Sequence, residues 1–467
     1  MTVRAVILAA GQGTRMKSKL PKVLADVAGR PMVSWVVDAV AGIDPGQIMV
    51  VVGNGADDVA EILPAHVGWC VQEELLGTGD AARIGLAALG QVEDDIVLVL
   101  NGDAPLLTSS TLADLVSMQR RTNSAVTLLT AEMADPTGYG RVLRDERGRV
   151  VGVVEQGDAA PGQLAIREIN AGMYAFRGDL LPAALNQLKT DNVQGEYYLT
   201  DVVSVLAEEG HSLGALLTSA DEIVGVNSHD QLAEASRLMR RQIASRWMEE
   251  GVWVQDPDRT YLGADVTLEP GVRLYPGVHL EGRTHVAAGA AVGPDVFATD
   301  TVIGGGSRVW YAVLRGAVVG NDCEVGPYAS LRPGSLLRDR SKVGTFVETK
   351  STTVGEGSKV PHLTYLGDTQ VGRDANIGAG TITCNYDGYR KSRTVVGDRA
   401  FIGSDTMLVA PVTVGDDAVT GAGSVITRDV PSGALAVERA SQVDVPGYAA
   451  RRRETKQARD AEEPKEA

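Results

Sequence analysis

The sequence predicts an α/β chain in three parts: a mostly parallel sheet with helices on both faces, a connecting helix, and a parallel β-helix. Three observations carry this. Short apolar runs alternate with amphipathic stretches through the first part, a helix-start signature follows near residue 228, and the last third repeats an aliphatic residue every six positions.

In the first part Val3-Leu8, Met49-Val52 and Ile96-Leu100 are apolar runs bounded by Gly or polar turns, and they read as buried strands. Met32-Val40 and Asp80-Leu89 between them are amphipathic and read as helices. Strand and helix in alternation predict a parallel sheet, whose ligands sit at the carboxyl ends of the strands. Val3-Ala10 is too short for a leader peptide and reads as the first strand. Ser228-His229-Asp230-Gln231 has capping-box form. The helix it opens runs to about Glu250 with Leu232, Ala235, Met239 and Ile243 on one face, and Gly251 ends it.

The last third holds the rhythm. Leu262, Leu268, Leu274, Leu280, Val286 and Val292 keep a step of six. Val319, Val325, Leu331, Leu337 and Val343 resume it, as do Val396, Ile402, Leu408 and Val414, with Thr420 a lapse before Ile426. Six fits neither a helix nor an alternating strand. It fits hexapeptides, three to a triangular coil, stacked at the ~4.8 Å strand spacing. The β-helix should begin near Tyr261 and fade by Val437. The charged tail after Arg451 lacks periodicity and is expected to be disordered.

Composition narrows the function. A formal charge of -16 excludes a nucleic-acid binder and requires local Arg and Lys clusters for anionic substrates. No apolar run approaches the ~20 residues of a membrane helix. Cys70, Cys323 and Cys384 have no metal-ligand spacing and read as reduced thiols of a cytosolic protein.

Two sites are indicated. After the first strand, Leu8-Ala9-Ala10-Gly11-Gln12-Gly13-Thr14-Arg15-Met16 is a glycine loop whose backbone N–H groups can approach phosphate. It has no Gly-Lys-[Ser/Thr], and Met16 stands where a Rossmann fingerprint needs its third Gly. From the glycines alone a plain strand-to-helix turn is an equal reading; Arg15 and Lys22, able to neutralise a triphosphate, tilt it toward a nucleotide site. Asp103, at a strand's carboxyl end, can supply a hard oxygen to Mg²⁺, and Asn227 a second, although a lone Asp there is more often a cap. In the last third His362 is a candidate general base, while His279 and His285 look like ordinary repeat positions. The repeat lapses between Thr383 and Val395, so Asn385-Arg393 should form an extruded loop.

Leu8-Met16 followed by Pro21-Lys22 resembles the start pattern of the sugar-phosphate nucleotidyltransferase family. Leu76-Gly79, Pro136-Arg141, Gly195-Asp201, Pro361-Asp368 and Ile377-Gly388 extend the resemblance to about residue 440, to members that also carry a hexapeptide domain. The resemblance implies a Rossmann-like nucleotidyltransferase domain over 1–228, a linker helix over 229–250, a left-handed parallel β-helix of hexapeptide repeats over 251–450 that transfers an acetyl group, and a tail over 451–467. It implies synthesis of UDP-N-acetylglucosamine from glucosamine-1-phosphate, acetyl-CoA and UTP with Mg²⁺, in a homotrimer whose acetyl site is shared between subunits.

By the same resemblance Leu8, Ala9, Ala10 and Gly11 contact the nucleotide and Arg15 and Lys22 its phosphates. Gln72, Gly77 and Thr78 read uracil; Asn101, Gly102 and Asp103 line the phosphate region. Gly140, Glu155 and Asn170 hold the sugar, and Asp103 and Asn227 the metal. On the β-helix His362 is the base, Arg332 and Lys350 bind the sugar phosphate, and Tyr365, Asn376, Asn385, Tyr386 and Lys391 complete the sugar and acyl pocket. Ala379, Ser404, Ala422 and Arg439 bind acetyl-CoA, with a backbone N–H near Ser404 as oxyanion donor. The chain departs from the family pattern at Ala25, Leu76, Asp80 (where His is common), Asn101, Ala171 and Ser351; these bear on affinity and sugar tolerance, not on reaction class. Two other readings stay open: a nucleotidyltransferase whose β-helix only assembles it, and a sugar-nucleotide sensor. The cluster Arg332, Lys350, His362, Asn385 and Lys391 discriminates against the first, since assembly does not need it.

Overall fold

The computed structural model describes residues 1–11, 13–17, 20–53 and 55–462. They divide into two compact units, Met1–Val286 with Val292–Asp300, and Ala287–Ala291 with the chain from Thr301 onward.

The first unit opens on strand β1 (Val3–Ala9). A two-stranded ribbon, β2 (Asp26–Val27) and β3 (Arg30–Pro31), leads into helix α1 (Met32–Ala41). Then come β4 (Gln47–Val52), α2 (Ala56–Ile62), β5 (Gly68–Val71), α3 (Thr78–Leu89), β6 (Ile96–Asn101) and α4 (Ser109–Thr122). β1 lies between β4 and β6, parallel to both, with Ile7 opposite Val50 and Leu100. Its side chains alternate between two cores. Val3, Ala5, Ile7 and Ala9 pack with α1 and α4, and Val6 packs with Ala81, Ala82 and Leu86 of α3. A strand covered on both faces reads as a continuous apolar run, which is why the early strands were legible.

Further strands widen the sheet: β7 (Val126–Glu132), β8 (Gly140–Arg144), β9 (Val150–Val154), β10 (Glu168–Arg177) and β11 (Leu213–Leu217). The order is β11-β7-β10-β6-β1-β4-β5, with β8 pairing β10 and β9. β10 runs antiparallel to β6, β7 and β8, and its pairing with β7 shifts register between Asn170 and Tyr174. Short helices α5 (Pro161–Leu164), α6 (Leu181–Leu185) and α7 (Asp201–Glu208) complete this region.

Helix α8 (His229–Glu249) forms where a connecting helix is expected, and it lies within the first unit. Ser228 Oγ accepts from Gln231 N–H at 3.3 Å, as a cap should. The return bond falls one residue early, since Gln231 Oε1 accepts from Asn227 N–H at 2.7 Å. Ala235, Met239, Ile243 and Trp247 are its buried face, and Arg240 stacks over Tyr261 at 4.7 Å. The first β-helix strand, Trp253–Val254, comes earlier than the expected Tyr261 and pairs with Arg273–Leu274. The strands from there on sort into three parallel sheets.

The second unit carries the later coils. The rhythmic aliphatics Val319, Val325, Leu331, Leu337, Val343, Val396, Ile402, Leu408 and Val414 are all essentially buried. So are residues between the legible runs: Ile303, Val309 and Leu314, and Thr349, Val354, Val360, Leu366, Val371, Ile377 and Thr383. Several prism sides there are one residue short, as from Leu366 to Val371, which broke the count. Thr420 is inward and paired: Gly403 N–H donates to its hydroxyl at 2.9 Å and Thr406 Oγ lies 3.2 Å away.

After Ala436 the strands end. The tail differs from the expected disorder. Tyr448–Glu462 forms helix α9, exposed over Tyr448–Arg459, and residues 463–467 lie outside the described residues. Ala, Arg, Lys, Glu and Gln dominate this stretch, all strong helix formers that need no buried stripe to favour the helix locally.

Two candidate active sites

The first site gathers at the carboxyl ends of β1 and β6. A cavity of about 580 Å³ is lined by Leu8, Ala9, Ala10, Gly11, Lys22, Gln72, Gly77, Thr78, Asn101 and Asp103. Val23, Leu75, Ala81 and Glu196 also line it; nothing in their type or spacing marked them. Gly102 closes the β6 end, its N–H donating to Leu8 O at 2.8 Å. Arg15 stands exposed on the 3₁₀ turn Thr14–Met16, outside this lining, and Gln12 lies outside the described residues.

Lys22 organises the charged end. Its ammonium donates to Asp103 Oδ2 and, at 2.9 Å, to Asn227 Oδ1. Asn227 is far away in the chain and arrives because the start of α8 holds its backbone through Gln231. His229, on the first turn of α8, lies with Nε2 3.0 Å from Met16 O at the end of the glycine loop. Tyr139, to which no motif in the sequence assigns a role, is held above its usual pKa by burial; its hydroxyl sits at the Gly225 backbone within the field of Asp103.

Gly140, Glu155 and Asn170 form an adjoining group. Gly140 pairs with Asn170 across the sheet, and a side chain at Gly140 would come 3.5 Å from Glu155 Oε2. Burial pushes the Glu155 pKa up, although Thr200 Oγ donates to it at 3.1 Å. Asn170 Nδ2 donates to Tyr174 Oη at 2.7 Å, while its Oδ1 is buried without a partner among the described residues. Asn101 Nδ2 reaches Ala171 O at 3.4 Å, tying this group to the cavity.

The second site lies on the β-helix. His362, Ala379, Ser404 and Ala422 occupy equivalent positions in successive coils, each just ahead of a left-handed corner at Leu363, Gly380, Asp405 and Gly423. Leu363 at φ 46° is costly for a branched side chain, and only the packed coil holds it there. Arg439 donates to Ala422 O at 2.8 Å and so reaches the same column.

Across the next face, at its far corner, stand Arg332 and Lys350 with the loop residues Asn385 and Lys391. Arg332 Nη1 bonds Glu348 Oε1 at 2.8 Å, and Asn385 Nδ2 bonds Asp368 Oδ2 at 2.5 Å. Lys350 lies beside Lys391, and that second ammonium, with Arg332 behind it, holds the Lys350 pKa below the usual lysine range. Tyr365 starts the strand between the two corners, opposite Glu348. The loop after Cys384 does leave the prism, closed by a bridge between Tyr386 and Lys391. Asn376 is not gathered with them: it stands on the preceding face, in register with Lys359 and Phe401.

The geometry is that of a strand-end cavity bearing Lys22 and Asp103 on one unit and a cationic, His-bearing surface on the other. A family model described as the MobA-like NTP transferase domain matches residues 5–161, and one described as the bacterial transferase hexapeptide (six repeats) matches residues 393–428. The chain is 50% identical to the bifunctional protein GlmU of Streptomyces coelicolor over 96% of this chain and 94% of that one. This chain belongs to the GlmU family. The GlmU of Streptomyces avermitilis is 49% identical with the same coverage, and that of Desulfitobacterium hafniense 47% identical over 95% of this chain and 98% of its own. A solved UDP-glucose pyrophosphorylase in complex with UDP-glucose overlaps 52% of this chain at TM-score 0.45 and 17% identity. Like other GlmU proteins the chain is a bifunctional enzyme, a nucleotidyltransferase on the sheet and a hexapeptide acyltransferase on the β-helix. Among the described residues no helix is long and apolar enough to cross a membrane.

Proposed function

We propose that the β-helix moves the acetyl group of acetyl-CoA to the amine of glucosamine-1-phosphate, and that the sheet domain moves the uridylyl group of UTP to the N-acetylated product, releasing pyrophosphate. The product is UDP-N-acetylglucosamine, a precursor of cell-wall polymers made in the cytoplasm. The cationic cluster Arg332, Lys350 and Lys391 carries the two-reaction reading, because an acidic chain that used its β-helix only for assembly would have no need to crowd three cations there.

At the nucleotide cavity the attacking group is a phosphate oxygen of the sugar phosphate and the electrophile is the α-phosphorus of UTP. The Leu8–Gly11 backbone and Gly102 frame the phosphates, Lys22 and Arg15 offset their charge, and Gly140, Glu155 and Asn170 orient the sugar. Asp103 and Asn227 would hold Mg²⁺, which when bound neutralises charge on the triphosphate. Their oxygens already converge on one cation, the Lys22 ammonium. Two hard oxygens without a larger ligand cluster suit an ion that takes its remaining contacts from phosphate and water. On the β-helix His362 accepts the proton of the substrate amine as it attacks the thioester carbonyl, and the Ala379, Ser404 and Ala422 column carries the cofactor.

The acetyl site is incomplete within one chain, since Asn376 faces away from the cationic corner. A homotrimer completes it. Tyr311, Tyr328 and Phe346 support that reading: they stack along one corner at 5.6 and 5.4 Å, Leu363 continues the line, and all are exposed. A strip that repeats at coil spacing is matched by another copy of itself. The test is to run each substrate pair separately with purified protein. Free CoA from acetyl-CoA and glucosamine-1-phosphate, and pyrophosphate from UTP and N-acetylglucosamine-1-phosphate, are both expected. Absence of the first from folded protein would reduce the β-helix to a scaffold.

A further inference from the structure

We infer that Asp80 sets the base specificity of the nucleotide cavity by locking the Gln72 amide in one orientation, with its carbonyl toward the base, so that uracil is accepted and cytosine refused. This rests on the proposed uridylyl transfer and on Gln72 as its base contact.

Gln72 and Asp80 are buried, at 3% and 5% exposure. Gln72 Nε2 donates to Asp80 Oδ2 at 2.8 Å and to Gly77 O at 3.1 Å. A carboxylate and a backbone carbonyl can only accept. Both partners therefore call for the NH₂ end, and both amide hydrogens are committed. Turning the amide over would set Oε1 against two acceptors in a buried place and leave each without its donor. Asp80 is itself fixed. Its Oδ1 accepts from Arg83, whose guanidinium lies over the Tyr197 ring at 5.8 Å. The chain Tyr197–Arg83–Asp80–Gln72 thus leaves one end of the amide, the carbonyl, for the cavity that Gln72, Gly77 and Thr78 line.

The consequence is chemical. Uracil carries an N–H at N3 and cytosine a lone pair. A fixed acceptor bonds the first and repels the second, and a site built on a buried hydrogen bond discriminates strongly against a partner that cannot complete it. Asp80 acts through Gln72 and is a positioning residue.

The test is the ratio of kcat/KM for UTP to that for CTP, with N-acetylglucosamine-1-phosphate as acceptor and the full chain as enzyme. Asp80→Asn keeps the shape but gives Gln72 a neighbour that also donates, so the amide can turn. The ratio is expected to fall about 10- to 100-fold, mainly through KM, with CTP gaining in absolute terms. In a Gln72→Ala background, Asp80→Asn should move the ratio no further. Should Asp80→Asn melt below assay temperature, Asp80→Ser, also able to donate, should give the same fall. A ratio unmoved by Asp80→Asn but lowered by Gln72→Ala overturns the lock and spares the base contact. A ratio unmoved by Gln72→Ala overturns the contact and the lock with it. Failure of the unmodified chain to release pyrophosphate from UTP at all would instead overturn the uridylyl reading.

Discussion

The two sites are built by opposite means. In the nucleotide cavity Lys22 and Asp103 are held by partners distant in the chain. Lys22 bonds Asp103, 81 positions on, and Asn227, 205 positions on. On the β-helix the column His362, Ala379, Ser404 and Ala422 is one position carried up a repeating backbone, and its residues need no side-chain partners to be aligned. Where side chains hold one another, a substitution disturbs geometry. Where the backbone repeats, a substitution changes chemistry and leaves geometry standing.

The largest effects should test that contrast. Asp103→Asn is expected to cut pyrophosphate release by ~10³-fold or more, and to free Lys22 and loosen Asn227 besides, while acetyl transfer is untouched. His362→Ala should cut acetyl transfer by ~10²- to 10⁴-fold with no shift in melting temperature and no loss of pyrophosphate release. Separate assays of the two half-reactions read both. Equal loss of both activities in either variant would deny the division between sites.

A smaller effect is a pH profile. Lys391 depresses the Lys350 pKa, so Lys350 loses its charge at a lower pH than an ordinary lysine. The KM for glucosamine-1-phosphate should therefore climb as pH rises through that lowered value. Lys391→Ala raises KM several-fold at neutral pH by removing one cation, and moves the climb to higher pH because its cause is gone. A profile that keeps its position in Lys391→Ala would show that the two lysines do not interact. Glu155 bears on the other site. Its raised pKa means that its carboxylate is least comfortable in the folded state at high pH, so the stability it contributes is lost as pH rises through the raised value. Glu155→Gln should weaken sugar-phosphate binding yet raise the neutral-pH melting temperature, by ~2–4 °C for each kcal/mol gained. The smallest effect expected is that of Thr420→Val, which restores the aliphatic rhythm but removes the hydroxyl shared by Gly403 N–H and Thr406 Oγ, leaving Gly403 its backbone bond to Thr420 O; a loss of ~1 kcal/mol in denaturant titration is expected, and a gain would mean that the interior hydroxyl pair is idle.

Most of the architecture was legible because it is periodic. Doubly covered strands read as apolar runs, and the prism read as a step of six. The middle coils were not, because sides one residue short and inward threonines such as Thr349 and Thr383 break a count of aliphatics without breaking the prism. Strand-end logic and the glycine loop pointed to Lys22, Asp103 and Asn227. The lock on Gln72 was not legible, because Asp80 and Arg83 meet it only through the turn from β5 into α3. Asp80 registered as a mere departure from the family pattern. Charge without an apolar stripe does not distinguish helix α9 from a disordered tail.

One consequence reaches past this chain. The corner column joins His362 to the proposed cofactor cradle across four successive coils, each one strand spacing, ~4.8 Å, above the last. Duplicating a turn of the prism within that span would lift the cradle away from the imidazole by a full step, whereas duplicating one below it would only make a taller pillar. Descendants of this scaffold are free to gain or shed storeys at the base, and are barred from doing so between the two reacting groups.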